Sequence, residues 1–403
     1  MKEIAVAIVG AGAAGLMLAS LLRCQQKPFV LFESQKQVGQ KILISGGGRC
    51  NILPSRMSLD DFESYSSKKL LQRILFFHPL EYWKRFFEGE LGIPLVLEPE
   101  TGKYFPQSHS AKQLLRRWLE WLNLTAEELY LQHRLTGFRR DSGKYLLDFS
   151  GKTMLCERLV LATGGFSYPK TGSDGLGWNL LQQYVPLHPP VPALAPLVSE
   201  DPQCFSLSGY SVLVHSQAIT AENKLLFESR SPLLFTHFGY SGPAAMDLAY
   251  TLKFPGIQHQ SKLLGKDREE WKSLLEEYPQ NKQILTFLTQ YFSKAFSDIL
   301  LENIELNSQQ ILSQLRKEQR ERLYSHLARF PLSVKKTQGF VRAEVTSGGL
   351  DLSEISLNTM EVKTLPRCYV IGELLDCTGR IGGYNFLWAF STAAVASRGI
   401  IYE

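Results

Sequence analysis

The feature that most restricts this chain lies in its first 33 residues. Residues 4–9 are all small or β-branched, the composition of a strand buried on both faces. Residues 13–23 are good helix formers, and residues 29–32 form a second apolar run. Between strand and helix stands Gly10-Ala-Gly12-Ala-Ala-Gly15. In that order the three parts make a dinucleotide fingerprint. Gly10 permits a tight turn, Gly12 lets backbone approach a diphosphate, and Gly15 lets the helix pack on the strand. The diphosphate would rest on free N–H groups at the helix start, at Ala13 and Ala14, where the dipole favours anions. Glu33 ends the second run 18 residues after Gly15 (33 − 15). A carboxylate there accepts from both ribose hydroxyls and repels a 2′-phosphate.

By length alone, residues 4–22 would also fit a membrane span or an export signal. The glycines interrupt that run, Glu3 offsets the one early lysine, and no small-residue cleavage site follows. The expectation is a cytoplasmic protein with no membrane association. With 403 residues, 44% hydrophobic and 21% charged, the chain is folded and holds two to three domains. Its six cysteines have no CxxC spacing and its eight histidines no HxH or HxxxH spacing, so neither a disulfide scaffold nor a metal site is expected. No P-loop or GxSxG motif is present. The net charge of +5 is compatible with a polyanionic partner without requiring one.

Residues 66–77 and 80–87 read as helices. Residues 109–122 form a clearer amphipathic one, with Leu114, Leu115, Trp118, Leu119 and Leu122 at helical spacing. Strand patterns fill 129–163. Seven prolines between 165 and 202 are too many for central elements and mark a linker and boundary. Short strands and turns dominate 207–254, and charged helices 262–330. Residues 341–403 return to strand, glycine-rich loop and helix. The predicted class is α/β. A discontinuous Rossmann-like domain comes from 1–188 and 341–403, with an inserted β-rich subdomain (189–260 plus 331–340) and a helical subdomain (261–330).

Two later signatures decide between dinucleotides. Residues 158–165 are a buried strand ending in Thr163-Gly164-Gly165, and Cys368-Tyr-Val-Ile-Gly372-Glu373 is a strand ending in glycine and an acid suited to a ribityl chain. Three ordered signatures favour FAD. No second fingerprint serves a nicotinamide: Gly172-Ser-Asp-Gly175-Leu-Gly177 follows a proline-containing loop and reads as loop. NAD(P)H, if it is the electron donor, would visit the flavin without a domain of its own. The segment Lys41-Ile-Leu-Ile-Ser45-Gly46-Gly47-Gly48-Arg49-Cys50-Asn51 can offer several N–H groups in a concave loop, suited to an oxyanion or a flat ring. Beside Arg49, Cys50 is a candidate for a lowered thiol pKa. It equally fits a buried small residue, with Arg49 in a salt bridge. Gly382-Gly383-Tyr384-Asn385 precedes the last helix (387–401), whose first amides would face the flavin pyrimidine. Trp388 is either a flavin contact or a core residue.

Further motifs accompany these: Tyr104-Phe-Pro-Gln-Ser108, Gly165-Phe-Ser-Tyr168-Pro-Lys-Thr171, Leu234-Phe-Thr236-His237, Val345-Thr-Ser-Gly348-Gly349 and the run from Gly372 to Phe390. Together they span almost the whole chain, which resembles the BaiN/RdsA family of FAD-dependent oxidoreductases. The resemblance implies a glutathione-reductase-like FAD domain with an inserted middle, noncovalent FAD, and reduction of carbon–carbon double bonds. One member type is associated with reducing uridine to dihydrouridine in large-subunit ribosomal RNA, another with bile-acid metabolism. On the first reading Cys50 and Tyr384 are the candidate proton donors. Two readings stay open beside it: reduction of a small hydrophobic enone or other metabolite, and a non-catalytic FAD-binding, ribosome-associated factor. Seven basic residues against two acids between 316 and 336, with Lys112, Arg116 and Arg117, would suit RNA phosphate. They suit a solvated helix face as well. Val362 and Asp376-Cys377-Thr378 depart from the family pattern and bear on substrate contacts.

Overall fold

In the computed structural model, which describes residues 3–402, the opening segment is strand Glu3–Val9, glycine turn, helix Ala13–Cys24 and strand Val30–Phe32. The long apolar run is therefore two elements folded against each other. Among the described residues no helix is long and apolar enough to cross a membrane.

Strand Glu3–Val9 lies at the centre of a parallel array. Val30–Phe32 pairs on one side and Lys152–Leu161 on the other, and Leu129–Tyr130 extends the first flank. Lys152–Leu161 is long enough to hold two neighbours on its far edge. Its first half pairs antiparallel with Lys144–Phe149, and its last three residues pair parallel with Cys368–Val370. That second pairing is where the chain, after an excursion of some 200 residues, returns to the sheet it started. The closing helix Tyr384–Tyr402 packs on Ala13–Cys24, and residues from both chain ends share one hydrophobic core. Strand ends and helix starts converge at the glycine turn, the crevice where open α/β sheets bind ligands.

By its contacts the chain forms two compact units, one running to Pro192 and resuming at Ala343, the other Ala193–Arg342. The second holds both a seven-stranded antiparallel sheet and its helices. Its strands are not all short: Ser211–Ile219 and Leu225–Thr236 pair along nearly their whole length. In Ser211–Ile219 side chains alternate between buried and more exposed, the period-two pattern of a sheet covered on one face. Helix Gly242–Leu248 packs on Leu225–Thr236, and Lys317–Ala328 on Arg268–Glu277 and strand Gln258–Leu263.

The proline-rich stretch is more ordered than expected. Leu187–Ala193, with Pro189, Pro190 and Pro192, is a strand paired with Val345–Leu350 in a two-stranded sheet. Such a strand has one unpaired edge, where missing N–H donors cost nothing. Three of the seven basic residues of 316–336 are engaged inside their own unit. Arg320 donates to the Leu312 carbonyl and to Gln280, Arg322 faces Glu305, and Lys335 pairs with Glu200.

Two histidines of the second unit are held neutral. Burial lowers both His259 and His326 to about 4. The unfolded chain therefore takes up protons first as pH falls. Stability of this unit is full above the ordinary histidine value and is lost as pH drops from about 6.5 towards 4, by a few kcal/mol in all. Urea midpoints measured across that range should fall for the wild type and fall less for His259→Asn.

Candidate active site

The three fingerprint glycines do different work. A Cβ on Gly10 (φ +108°) would lie 2.3 Å from the Ala162 carbonyl oxygen, and one on Gly15 would lie 1.9 Å from that of Gly10. Both are demanded by close backbone packing. A Cβ on Gly12 would meet nothing within 4 Å. Gly12 caps the helix without a side-chain hydrogen bond, so the helix start opens onto free space. Glu33 is buried beside it. One carboxylate oxygen accepts from Ala11 N–H at 2.9 Å, the other from Gln35 N–H at 2.9 Å and the Ser34 hydroxyl at 3.2 Å. A carboxylate offers about four acceptor sites, so one remains for a ribose hydroxyl.

A second cluster draws on four distant parts of the chain. Lys41 Nζ lies 2.6 Å from Glu373 Oε2 and donates to Ser167 Oγ at 2.5 Å. Ser167 donates to Glu373 Oε1 at 2.7 Å, and the same oxygen accepts from Thr346 N–H at 3.0 Å. The Thr346 hydroxyl accepts from Phe166 N–H. Behind this cluster the Gly372 turn is pinned to the closing helix: Trp388 Nε1 donates to the Gly372 carbonyl at 3.1 Å and Gly372 N–H to Thr392 Oγ1 at 3.0 Å. Trp388 is buried, and its place is structural: it orients the turn that carries Glu373.

The Gly372 turn that carries Glu373 packs against Ala14, in the first turn of the helix that Gly12 opens. The Thr163 and Ser173 hydroxyls are buried with no partner among the described residues, Ser173 against Gly164 and Thr163 against Gly177. Unsatisfied buried hydroxyls are costly unless a ligand meets them. An open helix start, an acid with spare acceptor capacity and two unpartnered hydroxyls fit an extended dinucleotide such as FAD. Gly165 packs against Thr346 and Glu373 and brings the Thr163-Gly164-Gly165 turn to the cluster.

The triple-glycine loop departs from expectation in part. Gly46, Gly47 and Gly48 have φ of +55°, +66° and +84°, a left-handed run only glycine adopts readily, and a Cβ on Gly47 would meet nothing. Gly46 lies against Asn51, and Ser45 donates to the Ile42 carbonyl. Arg49 points away into an ion pair with Glu98 at 3.0 Å and stacks on Phe105, so the salt-bridge reading holds for it. For Cys50 the expected lowering of the pKa is reversed. The residue is fully buried, and desolvation of the thiolate pushes the thiol up to about 12. Neighbouring Arg49 spends its charge on Glu98. Cys50 also holds φ +61°, a strained value for a side-chain-bearing residue.

At the other end, Gly382 lies against Lys103 and Gly383 against the Leu53 backbone. The helix starts at Tyr384, three residues earlier than expected. Tyr384 meets Phe62 edge-on at 5.7 Å. Asn385 uses both side-chain groups on Gly379, accepting from its N–H and donating to its carbonyl, each at 2.9 Å. It shapes the 379–383 loop and has little left for a cofactor. Sequence reasoning gave no role to Ser167 and Thr346, although both sit inside motifs quoted above. Asp376, expected to bear on substrate contacts, instead holds a turn. Its Oδ2 accepts from Ser64 Oγ at 2.7 Å, Tyr65 N–H at 2.7 Å and Ser66 N–H at 3.2 Å, fixing a turn on which Tyr65 stacks over His188.

Residues 4–399 match the family described as HI0933-like protein Rossmann domain. The chain belongs to that family. It is 30% identical over 403 residues to the ribosomal RNA dihydrouridine synthase of Escherichia coli, covering 100% of this chain and 99% of the relative. It is likewise 30% identical over 407 residues to the enzyme of that name from Haemophilus influenzae, covering 96% of each. A 3-dehydro-bile acid delta(4,6)-reductase of Clostridium scindens is 25% identical over 409 residues, covering 98% of each. With this membership goes the enzyme class, an oxidoreductase of the FAD-dependent kind built on a Rossmann domain.

The glycine geometry separates folding from binding. Gly15→Ala should cost about 1–3 kcal/mol through overpacking and lower the melting temperature. Gly12→Ala should leave melting of the flavin-free protein unchanged and reduce the flavin retained on purification, read from visible absorbance. Glu373→Gln should weaken flavin binding by about tenfold or more, since Lys41 loses its charged partner, measured by fluorescence titration of reconstituted protein.

Proposed function

We propose that this protein reduces uridine to dihydrouridine in large-subunit ribosomal RNA, with FAD held noncovalently and NAD(P)H as the electron donor. The observation that carries the reading is the Lys41–Ser167–Glu373 cluster beside an open Gly12. The full-length relatives named as ribosomal RNA dihydrouridine synthases supply the substrate class. Bound in this crevice, FAD would supply a hydride for a carbon–carbon double bond.

The chain's own residues supply the rest. Lys41 and Glu33 bear on the two ends of a ribityl–diphosphate–ribose chain, and the N–H groups at the helix start meet the diphosphate. Saturating a double bond also needs a proton. Tyr384 is the remaining donor among the two sequence candidates, because its ring stands at the start of the closing helix next to the Gly382–Gly383 turn. Cys50 is set aside by its burial and raised pKa. A second reading, reduction of an enone, is favoured by the relative named as a bile acid reductase.

Nucleoside mass spectrometry of ribosomal RNA from cells with and without the gene tests the proposal. The expected result is loss of one dihydrouridine, and an unchanged level defeats it. In reconstituted assays Tyr384→Phe should slow turnover by about 10²-fold or more with flavin retained. Cys50→Ala should change it by less than tenfold.

A further inference from the structure

The helices Ala13–Cys24 and Tyr384–Tyr402 both begin at the cofactor crevice and run about 18 Å and about 28 Å away from it. Their far ends, with helix Leu80–Arg85 and the turn after it, enclose an open cavity of about 960 Å³. That volume suits a ligand of nucleotide size. Its wall is aromatic: Phe77, Tyr82 and Trp121 line it, and the His78 ring lies parallel to Tyr82, 3.8 Å between centroids. His78 and Tyr82 cover each other's face, so a planar ring would stack on Phe77 or Trp121.

Two of the three arginines on the wall have no acid partner among the described residues. Arg398 lies over Phe77 at 5.7 Å, and Arg85 makes one long bond to the Glu81 carbonyl at 3.4 Å. Neither has a carboxylate partner among the described residues, whereas Arg23 on the same wall is paired with Glu128 at 2.9 Å. Two free guanidiniums beside aromatic planes present forked donors matched to a phosphate. An apolar ligand would desolvate them without return. The one acid on the wall, Glu90, has no ion-pair partner among the described residues either. Its carboxylate can accept from an exocyclic amino group, which adenine carries and uracil lacks.

We propose that this cavity is a second ligand site, for a nucleoside monophosphate with an amino-bearing base, either free or as one residue of an RNA strand. The helix lengths place it too far from the crevice to serve as the hydride donor's seat, since reacting atoms must come within about 3.5 Å. It is a recognition site and stands whether or not the ribosomal RNA reading of the active site holds.

Calorimetric titration of the purified flavin-loaded protein with AMP, UMP and a short adenine-rich RNA tests it. Saturable AMP binding is expected, weaker for UMP, and reduced at least about tenfold by Arg85→Ala or Arg398→Ala with visible absorbance unchanged. Glu90→Leu, which removes the acceptor, should abolish the preference for AMP over UMP. If the RNA binds more tightly than AMP with the same losses, the source is an RNA strand; if AMP binds more tightly, it is the free nucleotide. Should an alanine variant lose flavin, Arg85→Lys and Arg398→Lys keep the charge, remove the fork and should still weaken binding. No binding of AMP or of the RNA, or binding indifferent to these arginines, overturns the proposal. Loss of dihydrouridine synthesis with AMP binding intact would bear on the active site alone.

Discussion

Strand Lys152–Leu161 is the constraint on which the nucleotide unit rests. One edge pairs with Glu3–Val9, and the end of the other edge pairs with Cys368–Val370. Without that second pairing the last sixty residues would have no place on the opening sheet, and Glu373 would not reach Lys41. The ion pair between them is a consequence of backbone hydrogen bonding several residues away. Cover on both faces explains why the strand's last three residues, Leu159, Val160 and Leu161, are wholly apolar and inaccessible.

Once the ends meet, polar groups are used to fix backbone turns and leave few to spare. Trp388 and Thr392 hold Gly372, Asn385 holds Gly379, and Asp376 holds residues 64–66. Each joins segments that would otherwise be loops with unsatisfied N–H groups in a partly buried setting. A crevice built this way is preorganised, because the atoms that face a ligand are carried on turns already tied down from behind. The residues that do the tying are as necessary as those that touch the ligand, and nothing in their local spacing announces it.

Charge tells a similar story. In the basic run of 316–336, Arg320 is held by a carbonyl and Arg322 and Lys335 face acids of the same unit, while four other basic residues stay exposed. Arg85 and Arg398, which share the wall of one cavity, come from segments that are not notably basic. Local charge density is a poor guide because a guanidinium binds whichever acceptor the fold brings within reach.

The sequence alone determined the opening strand, turn and helix and the return of the chain end to the opening sheet. These rest on local rules: strand and helix periodicity, and glycines where backbones touch. What the tertiary structure decided was the environment of each side chain. Cys50 sits beside Arg49 in the chain but is buried with a raised pKa, while Arg49 turns out to Glu98. The prolines of 187–193 became a strand because their partner, Val345–Leu350, lies 150 residues away. Burial, pairing and desolvation depend on what packs against a residue, and that partner is set by contacts between segments far apart in the chain.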